Sequence, residues 1–260
     1  CLACAAECVV LFRIAKAKPP GVRYFAVRGE HGGAALTACL HPADQVVFAG
    51  GGPRAAEHLA AWLAEQGLDV PGVFAPEALS APFAARYTAL TGKAFKLVKA
   101  LGHYGLSELA SAPRRTGEVR LATLNDQALL AAYRAASQRE ANTQRPVDPE
   151  GTVAQEIEAR SLYVLALPDG QVVSTGSILW DRSPLSGYVD HVFTPVAHRG
   201  NGHASSLVFA LSQRILAKHR VARLSVDVDN APAIAVYEKL GYKKACQMNN
   251  LRQVAPLERR

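Results

Sequence analysis

The part of this 260-residue chain that most constrains its fold is residues 187–242, where signals for a strand, a glycine loop, a helix, a strand and a helix follow in order. Residues 188–194 (Tyr188, Val189, Asp190, His191, Val192, Phe193, Thr194) are rich in β-branched and aromatic side chains, and Pro195 closes them, which predicts a strand. Arg199, Gly200, Asn201, Gly202, His203 and Ala204 follow, and residues 205–220 carry Leu207, Val208, Leu211, Ile215 and Leu216 at helical spacing. A glycine loop between a strand end and a helix start turns several backbone N–H groups, and the positive end of the helix dipole, towards one point. Glycine admits a close approach and Arg199 adds a charge-assisted donor, so the loop suits a phosphate or pyrophosphate. The same glycines also serve a plain strand-to-helix turn, and a short Gly-x-Gly alone does not separate the two readings.

The second half of the stretch does separate them. Residues 221–228 predict a strand with Leu224, Val226 and Val228 on one face. Asn230 is placed to cap a helix whose first turn holds Pro232; it runs through Ile234, Val236, Tyr237 and Leu240 and stops at Gly241. On these residues the chain resembles the GNAT superfamily of acyl-CoA-dependent N-acetyltransferases. The family's Arg/Gln-x-x-Gly-x-Gly/Ala motif is matched by Arg199, Gly202 and Ala204. Its later motif, Asn-x-x-Ala-x-x-x-Tyr-x-x-x-Gly-Phe/Tyr, is matched by Asn230, Ala233, Tyr237, Gly241 and Tyr242. The resemblance implies an α/β (α+β) fold, with a central mixed, mostly antiparallel sheet flanked by helices. It also implies acetyl-CoA as cosubstrate and direct attack by an amine acceptor, a small molecule or a peptide. The pyrophosphate would lie on Arg199, Gly200, Asn201, Gly202, His203 and Ala204, and the pantetheine arm along Val192, Phe193 and Thr194. Asn230 would stand near that arm, and Tyr237 would be the acid that protonates the departing thiolate. A core aromatic on a buried helix face is the plainer role for Tyr237 and is compatible with the catalytic one.

Amine acetylation needs a neutral amine, which calls for a carboxylate or a water chain near the acetyl group. Asp190, His191 and water are the options for this base. Strand alternation lets only one of the two side chains face the cofactor side unless a bulge intervenes. A second reading keeps the acyl-CoA groove without turnover, as a sensor or assembly module. A third, a dinucleotide-binding domain with Asp227 as ribose ligand, fares worse, because Ser205 stands at the third glycine position and a hairpin precedes the loop.

Upstream, residues 118–123 predict a first strand, and Asn125 or Asp126 caps a helix to about residue 140. A looser helix follows over about 149–160, and two strands, 161–167 and 171–180, flank Pro168, Asp169 and Gly170. Trp180, Asp181 and Arg182 either reach the acceptor pocket or are plain loop residues.

Length and 49% hydrophobic composition predict two domains. The polar linker 111–117 divides a catalytic domain, 117–260, from an N-terminal one, 1–112. The latter shows a helix-like start, strands near 22–27, 34–40 and 45–48, Gly50, Gly51 and Gly52, a helix over 53–66, a strand near 70–74 and a helix to about 90. This order echoes the C-terminal one and suggests a degenerate GNAT-like copy, as in two-domain bacterial members of the superfamily. It has no Arg before its glycines, so it is expected not to bind CoA and to complete the acceptor cleft or an interface.

Cys1, Cys4 and Cys8, with Cys39 and His41, form a conceivable zinc or iron–sulfur set. Their apolar surroundings favour packed free thiols and no metal. The odd cysteine count and the lack of a leader pattern point to the cytoplasm, although a chain that begins at Cys1 leaves a lost leader open. The net charge of +7 is dispersed, which suits a polyanionic cofactor; no motif supports nucleic acid, and the apolar runs are too short or too charged for a membrane span. A sheet edge freed by strand splay is able to pair between chains, so a homodimer is one option.

Overall fold

The computed structural model describes residues 21–28, 34–41, 44–141, 147–180 and 185–254. The chain divides into two compact units, one holding the described residues up to His103 with Val226–Asp229 and the chain from Lys244, the other Tyr104–Ser225 and Asn230–Lys243.

In the N-terminal unit, β1 (Arg23–Arg28), β2 (Ala34–Leu40) and β3 (Val46–Ala49) pair antiparallel in succession. Alternation along β2 turns Leu36, Ala38 and Leu40 into the core. Gly52 and Pro53 start α1 (Pro53–Glu65), whose buried Ala56, Leu59, Ala60 and Leu63 form one stripe. β4 (Gly72–Pro76) then pairs parallel with β3. α2 (Glu77–Thr91) ends on Gly92 at φ 74°, and β5 (Phe95–Leu106) follows. Phe83 of α2 lies 5.1 Å from the Phe48 ring and stacks on Tyr87 at 6.0 Å, and the Tyr87 hydroxyl donates to the Leu68 carbonyl at 2.7 Å.

The other unit opens with β6 (Glu118–Leu121) and a short 3-10 turn. Thr123 and Asp126 close that turn as a reciprocal capping box, and of the two expected caps Asp126 stands at the N-cap position of the next helix, without a side-chain cap bond to it. α3 (Gln127–Glu140) and α4 (Pro149–Glu158) follow, the latter capped by Asp148. β7 (Leu162–Ala166), β8 (Val172–Leu179) and β9 (Ser186–Phe193) extend β6 as an antiparallel meander. β7 is buried throughout and β8 over all but its last residue, as strands covered on both faces must be. α5 (His203–Leu216) packs on β8 and β9 and leads into β10 (Val221–Asp227), parallel to β9. Gly187 is what lets α5 lie so close, since a Cβ there would stand 2.9 Å from Ile215 Cγ2. α6 (Ala231–Lys239) is capped by Asn230 and followed by Gly241 at φ 103°.

β11 (Lys243–Gln253) runs antiparallel to β4, which is why the chain from Lys244 belongs to the N-terminal unit. Neither β5 nor β11 is foreseen from the residues. The expected linker 111–117 has no regular element before β6, while the division of the units falls at His103 and Tyr104. No helix among the described residues is long and apolar enough to cross a membrane.

Candidate active site

β9 is irregular where the sequence placed its candidate base. Thr175 faces Phe193 and Ser177 faces Asp190, so three steps on β9 oppose two on β8, a bulge, and His191 within it adopts φ 49°. The bulge breaks the alternation. The Asp190 carboxylate accepts the His191 backbone N–H at 2.9 Å and stands 3.4 Å from His191 Nε2. On its other edge β9 pairs with β10 only at Ser186–Val221, Gly187–Ala222 and Tyr188–Arg223. Beyond Tyr188, whose hydroxyl bonds Ser225 Oγ, the β9 backbone over residues 189–193 has no registered partner on that edge. Val192, Phe193 and Thr194 lie at this edge or directly after it. Val192 Cγ2 faces Gly176 beneath α5, Phe193 packs 5.8 Å from Tyr133, and the Thr194 and Ser174 hydroxyls are 2.9 Å apart.

The glycine loop joins this strand to α5. Gly200 (φ 81°) and Gly202 (φ 77°) occupy the left-handed region that an L side chain rarely adopts, and Gly202 is the N-cap, with no side chain capping the helix. The first N–H groups of α5 therefore lack an internal substitute for an external acceptor. Asn201 Nδ2 donates to the carbonyls of His198 and Arg199, at 3.3 and 3.2 Å, and holds the loop shape. Arg199 is committed to the fold on two sides: Nε donates to the Thr194 carbonyl at 2.9 Å and Nη2 to Glu140 at 2.5 Å. His203 is buried and pairs through Nδ1 with Thr116 Oγ1 at 3.0 Å. Thr116 in turn donates to Ser206, and Ser206 to the Arg114 carbonyl. That order of donors makes Nδ1 the protonated nitrogen of His203. Burial first, and the His198 ring second, lower its pKa and keep it neutral. Ala204 follows as the second residue of α5. The contact from Thr116 has no sequence signal, because it comes from a linker 87 residues earlier.

Asn230 spends its side-chain oxygen on the Ala233 N–H at 3.2 Å, as a cap. Tyr237 is 8% exposed, with its ring 6.1 Å from that of Tyr242. Tyr242 is hydrogen-bonded to Ser212 and Tyr188 to Ser225, whereas the Tyr237 hydroxyl has no hydrogen bond among the described residues. Burial, and then the Asp190 charge, push the Tyr237 phenol up to about 12. Asp227 is engaged by Lys99 and by the Asp229 N–H, and the hairpin before the loop is antiparallel, so the dinucleotide reading gains nothing.

On the face covered by α3 and α4 lies a small cavity of about 10 Å³, room for roughly one water molecule. Leu130, Arg134 and Ser137 of α3 line it, with Val153 of α4 and His191 and Phe193 of β9. His191 is thus the member of the Asp190–His191 pair that meets the cavity. Arg134 is buried and paired through Nη2 with Glu156 Oε2 at 2.5 Å. The sequence reading did not single out Arg134, whose one signal is its place a turn after Leu130 on the inward face of α3. Trp180 sits elsewhere, 5.8 Å from His219 and under Lys218, and Asp181 and Arg182 lie outside the described residues. So do Cys1, Cys4 and Cys8; Cys39 is a buried free thiol pushed up to about 11, mainly by burial.

A family model described as the Acetyltransferase (GNAT) family matches residues 127–242. No curated protein matches the sequence. Among solved structures, a GCN5-related N-acetyltransferase from Sphaerobacter thermophilus is 20% identical, with TM-score 0.61 over 90% of this chain and 81% of its own. Another, from Kribbella flavida, is 17% identical, with TM-score 0.60 over 97% and 96%. A tandem GNAT protein from the clavulanic acid biosynthesis pathway is 14% identical, with TM-score 0.51 over 92% and 86%. At these identities the likeness is one of fold, and it extends over nearly the whole chain. Over residues 127–242, a little under half of the chain, the sequence is thus similar to the acetyltransferases of the GNAT family, and the fold it shares with the solved GNAT structures agrees with that likeness.

Proposed function

We propose that the protein transfers an acetyl group from acetyl-CoA to the amine of a small molecule or peptide by direct attack, with Tyr237 as the acid. One observation carries the reading: the backbone edge of β9 beyond Tyr188, the uncapped start of α5 and the uncommitted Tyr237 hydroxyl belong to one unit. The residues fit the cosubstrate. The loop over 199–204 offers glycine-lined N–H groups to a pyrophosphate, residues 192–194 offer strand backbone to an amide-bearing arm, and Asn230 has its amide nitrogen left over from capping.

In the reaction the acceptor nitrogen forms a bond to the thioester carbonyl carbon, the carbon–sulfur bond breaks, and sulfur leaves with the electron pair. Tyr237 is protonated at neutral pH and supplies a proton to that sulfur. A free thiol has a pKa of about 8.5, well below the phenol's value of about 12. Tyr237 therefore stabilises the developing thiolate by hydrogen bonding, and any proton it gives to the sulfur is returned to the phenol from water, so that the proton lost by the amine balances the one gained by the thiol. The proton lost by the amine goes to water or to the Asp190–His191 pair. Release of CoA thiol, followed with a thiol reagent across an amine panel, tests the reading. Turnover that Tyr237→Phe abolishes supports it; acetyl-CoA binding without turnover by the intact protein favours a sensor.

The N-terminal unit is read as a degenerate copy of the same design. β3, a glycine turn, α1, β4 parallel to β3, and α2 repeat the order of β9, the glycine loop, α5, β10 and α6. The copy lacks an Arg before its glycines, and its Tyr87 hydroxyl is spent on Leu68, so it holds no CoA. The tandem GNAT neighbour supports this assignment. The buried Cys39 thiol, in no disulfide, fits a reducing setting such as the cytoplasm.

A further inference from the structure

Two residues other than glycine adopt a left-handed backbone among the described residues. Arg160 follows the C-cap of α4, where that conformation commonly ends a helix, whereas His191 lies inside a strand, so its φ of 49° needs another cause. On a regular strand Asp190 and His191 would point to opposite faces. In the bulge one carboxylate reaches both the His191 N–H, at 2.9 Å, and Nε2 of its ring, at 3.4 Å. With Nε2 turned to an anion, the proton of the neutral ring belongs there and Nδ1 keeps its lone pair, the arrangement in which a carboxylate orients an imidazole base. The ring is accessible: 45% of the His191 side chain is exposed, and it stands on the β9 segment that has no registered partner on its β10 side. Asp190 also acts on Tyr237 of α6, whose phenol its charge helps to keep protonated, and on Tyr188. Arg134 of α3, which lines the small cavity together with His191, is neutralised by Glu156 of α4.

We propose that His191 is the general base of the transfer, taking the proton of the acceptor amine at Nδ1, and that Asp190 is the positioning residue that holds its ring. The inference rests on the acetyltransferase reading above and names the group that receives that proton. The acceptor nitrogen bonds to the thioester carbon through its lone pair, one of its N–H bonds breaks, and that proton bonds to Nδ1. The sulfur leaves with the electron pair of the carbon–sulfur bond, and the imidazolium, held by the Asp190 charge, passes its proton to water. The left-handed backbone is then the strain that turns the ring beside the carboxylate instead of across the sheet.

The test uses the full chain, CoA-thiol release at saturating acetyl-CoA, and a panel of primary amines, amino acids and lysine-bearing peptides. Asparagine and glycine tolerate the same backbone, so His191→Asn and His191→Gly keep the fold, which unchanged acetyl-CoA affinity by calorimetry checks. On the best amine of the panel His191→Asn is expected to lower kcat/KM about 100-fold or more. Free imidazole is expected to restore part of the lost rate to His191→Gly, because it brings a base into the space that the ring vacates. Asp190→Asn is expected to lower kcat by less than the loss of His191 does, with KM for the amine unchanged. Undiminished turnover by His191→Asn overturns the proposal, and so does a loss that imidazole leaves in place, which makes His191 a structural residue and water the base. Acceptance of no amine by an intact protein that binds acetyl-CoA overturns it as well, in favour of a sensor. Absence of acetyl-CoA binding by the intact protein instead overturns the acetyltransferase reading itself.

Discussion

Tyr237 and Tyr242 are buried and Tyr188 is half-buried, yet of the three only Tyr237 lacks a hydrogen-bond partner among the described residues. The Tyr237 hydroxyl holds no hydrogen bond among the described residues, so removing it breaks none, while removing a proton donor from the reaction slows it. Tyr237→Phe is therefore expected to lower kcat by about 100-fold or more while leaving the melting temperature unchanged or slightly raised; calorimetric melting and steady-state kinetics together check this. A structural tyrosine would show the reverse pattern. The pH dependence has a defined sign. The folded-state pKa of about 12 lies above the ordinary 10.0, so the stabilisation is present below pH 10 and is lost as pH rises through 12. Alkaline unfolding should begin above pH 10 and shift upward in Tyr237→Phe. Motif positions such as Arg199, Gly202, Asn230 and Tyr237 were legible as residue types at fixed spacing. Arg134 was not, because its meaning depends on Glu156 lying 22 residues further along the chain and opposite it in space.

Among the elements, the turn before α3 is the clearest case of local sequence dictating structure. Asp126 accepts from Arg120, from the Thr123 N–H and from the Thr123 hydroxyl, at 2.7 to 2.9 Å. Arg120 first, with the Thr123 bonds helping against burial, holds the carboxyl down at about 2. Stability from this group is present above pH 3.8 and lost as pH falls through about 2. Asp126→Asn should cost roughly 1–2 kcal/mol near neutral pH, discounted because Arg120 is partly exposed, and should flatten acid unfolding in urea titrations. Gly187→Ala should cost about 1–3 kcal/mol, because its Cβ would press on Ile215 of α5. Period-two alternation and glycine punctuation made β9, α5, β10 and α6 readable. They failed at β5, whose Lys96, Leu97 and Val98 are all exposed, and at β11, whose buried Asn249 is tolerated because Ser80 of α2 accepts its amide at 3.2 Å. Both strands owe their burial to partners far away in sequence, which periodicity does not register.

For the whole molecule, the order of strand, glycines, helix, strand and helix was legible in both units, but the place of the last strand was not. β11 pairs with β4 from Met248–Pro76 to Arg252–Gly72, and Met248 and Leu251 are buried there. A fragment of residues 117–260, divided at the expected linker, should therefore expose that strand and self-associate, while a chain ending at residue 242 should lose the cooperative unfolding of the N-terminal unit. Sedimentation of the first and hydrogen exchange on the second check these outcomes. The central claim, an acyl-CoA groove formed by β9, the glycine loop and α5, is tested most directly by calorimetric titration of the full chain with acetyl-CoA. NAD serves as the control ligand, and an Arg199→Glu, Gly202→Glu variant is titrated beside the intact protein. Micromolar binding that the variant loses, with no response to NAD, is the predicted result. Absence of acetyl-CoA binding by the intact protein, or undiminished binding by the variant, would contradict the groove.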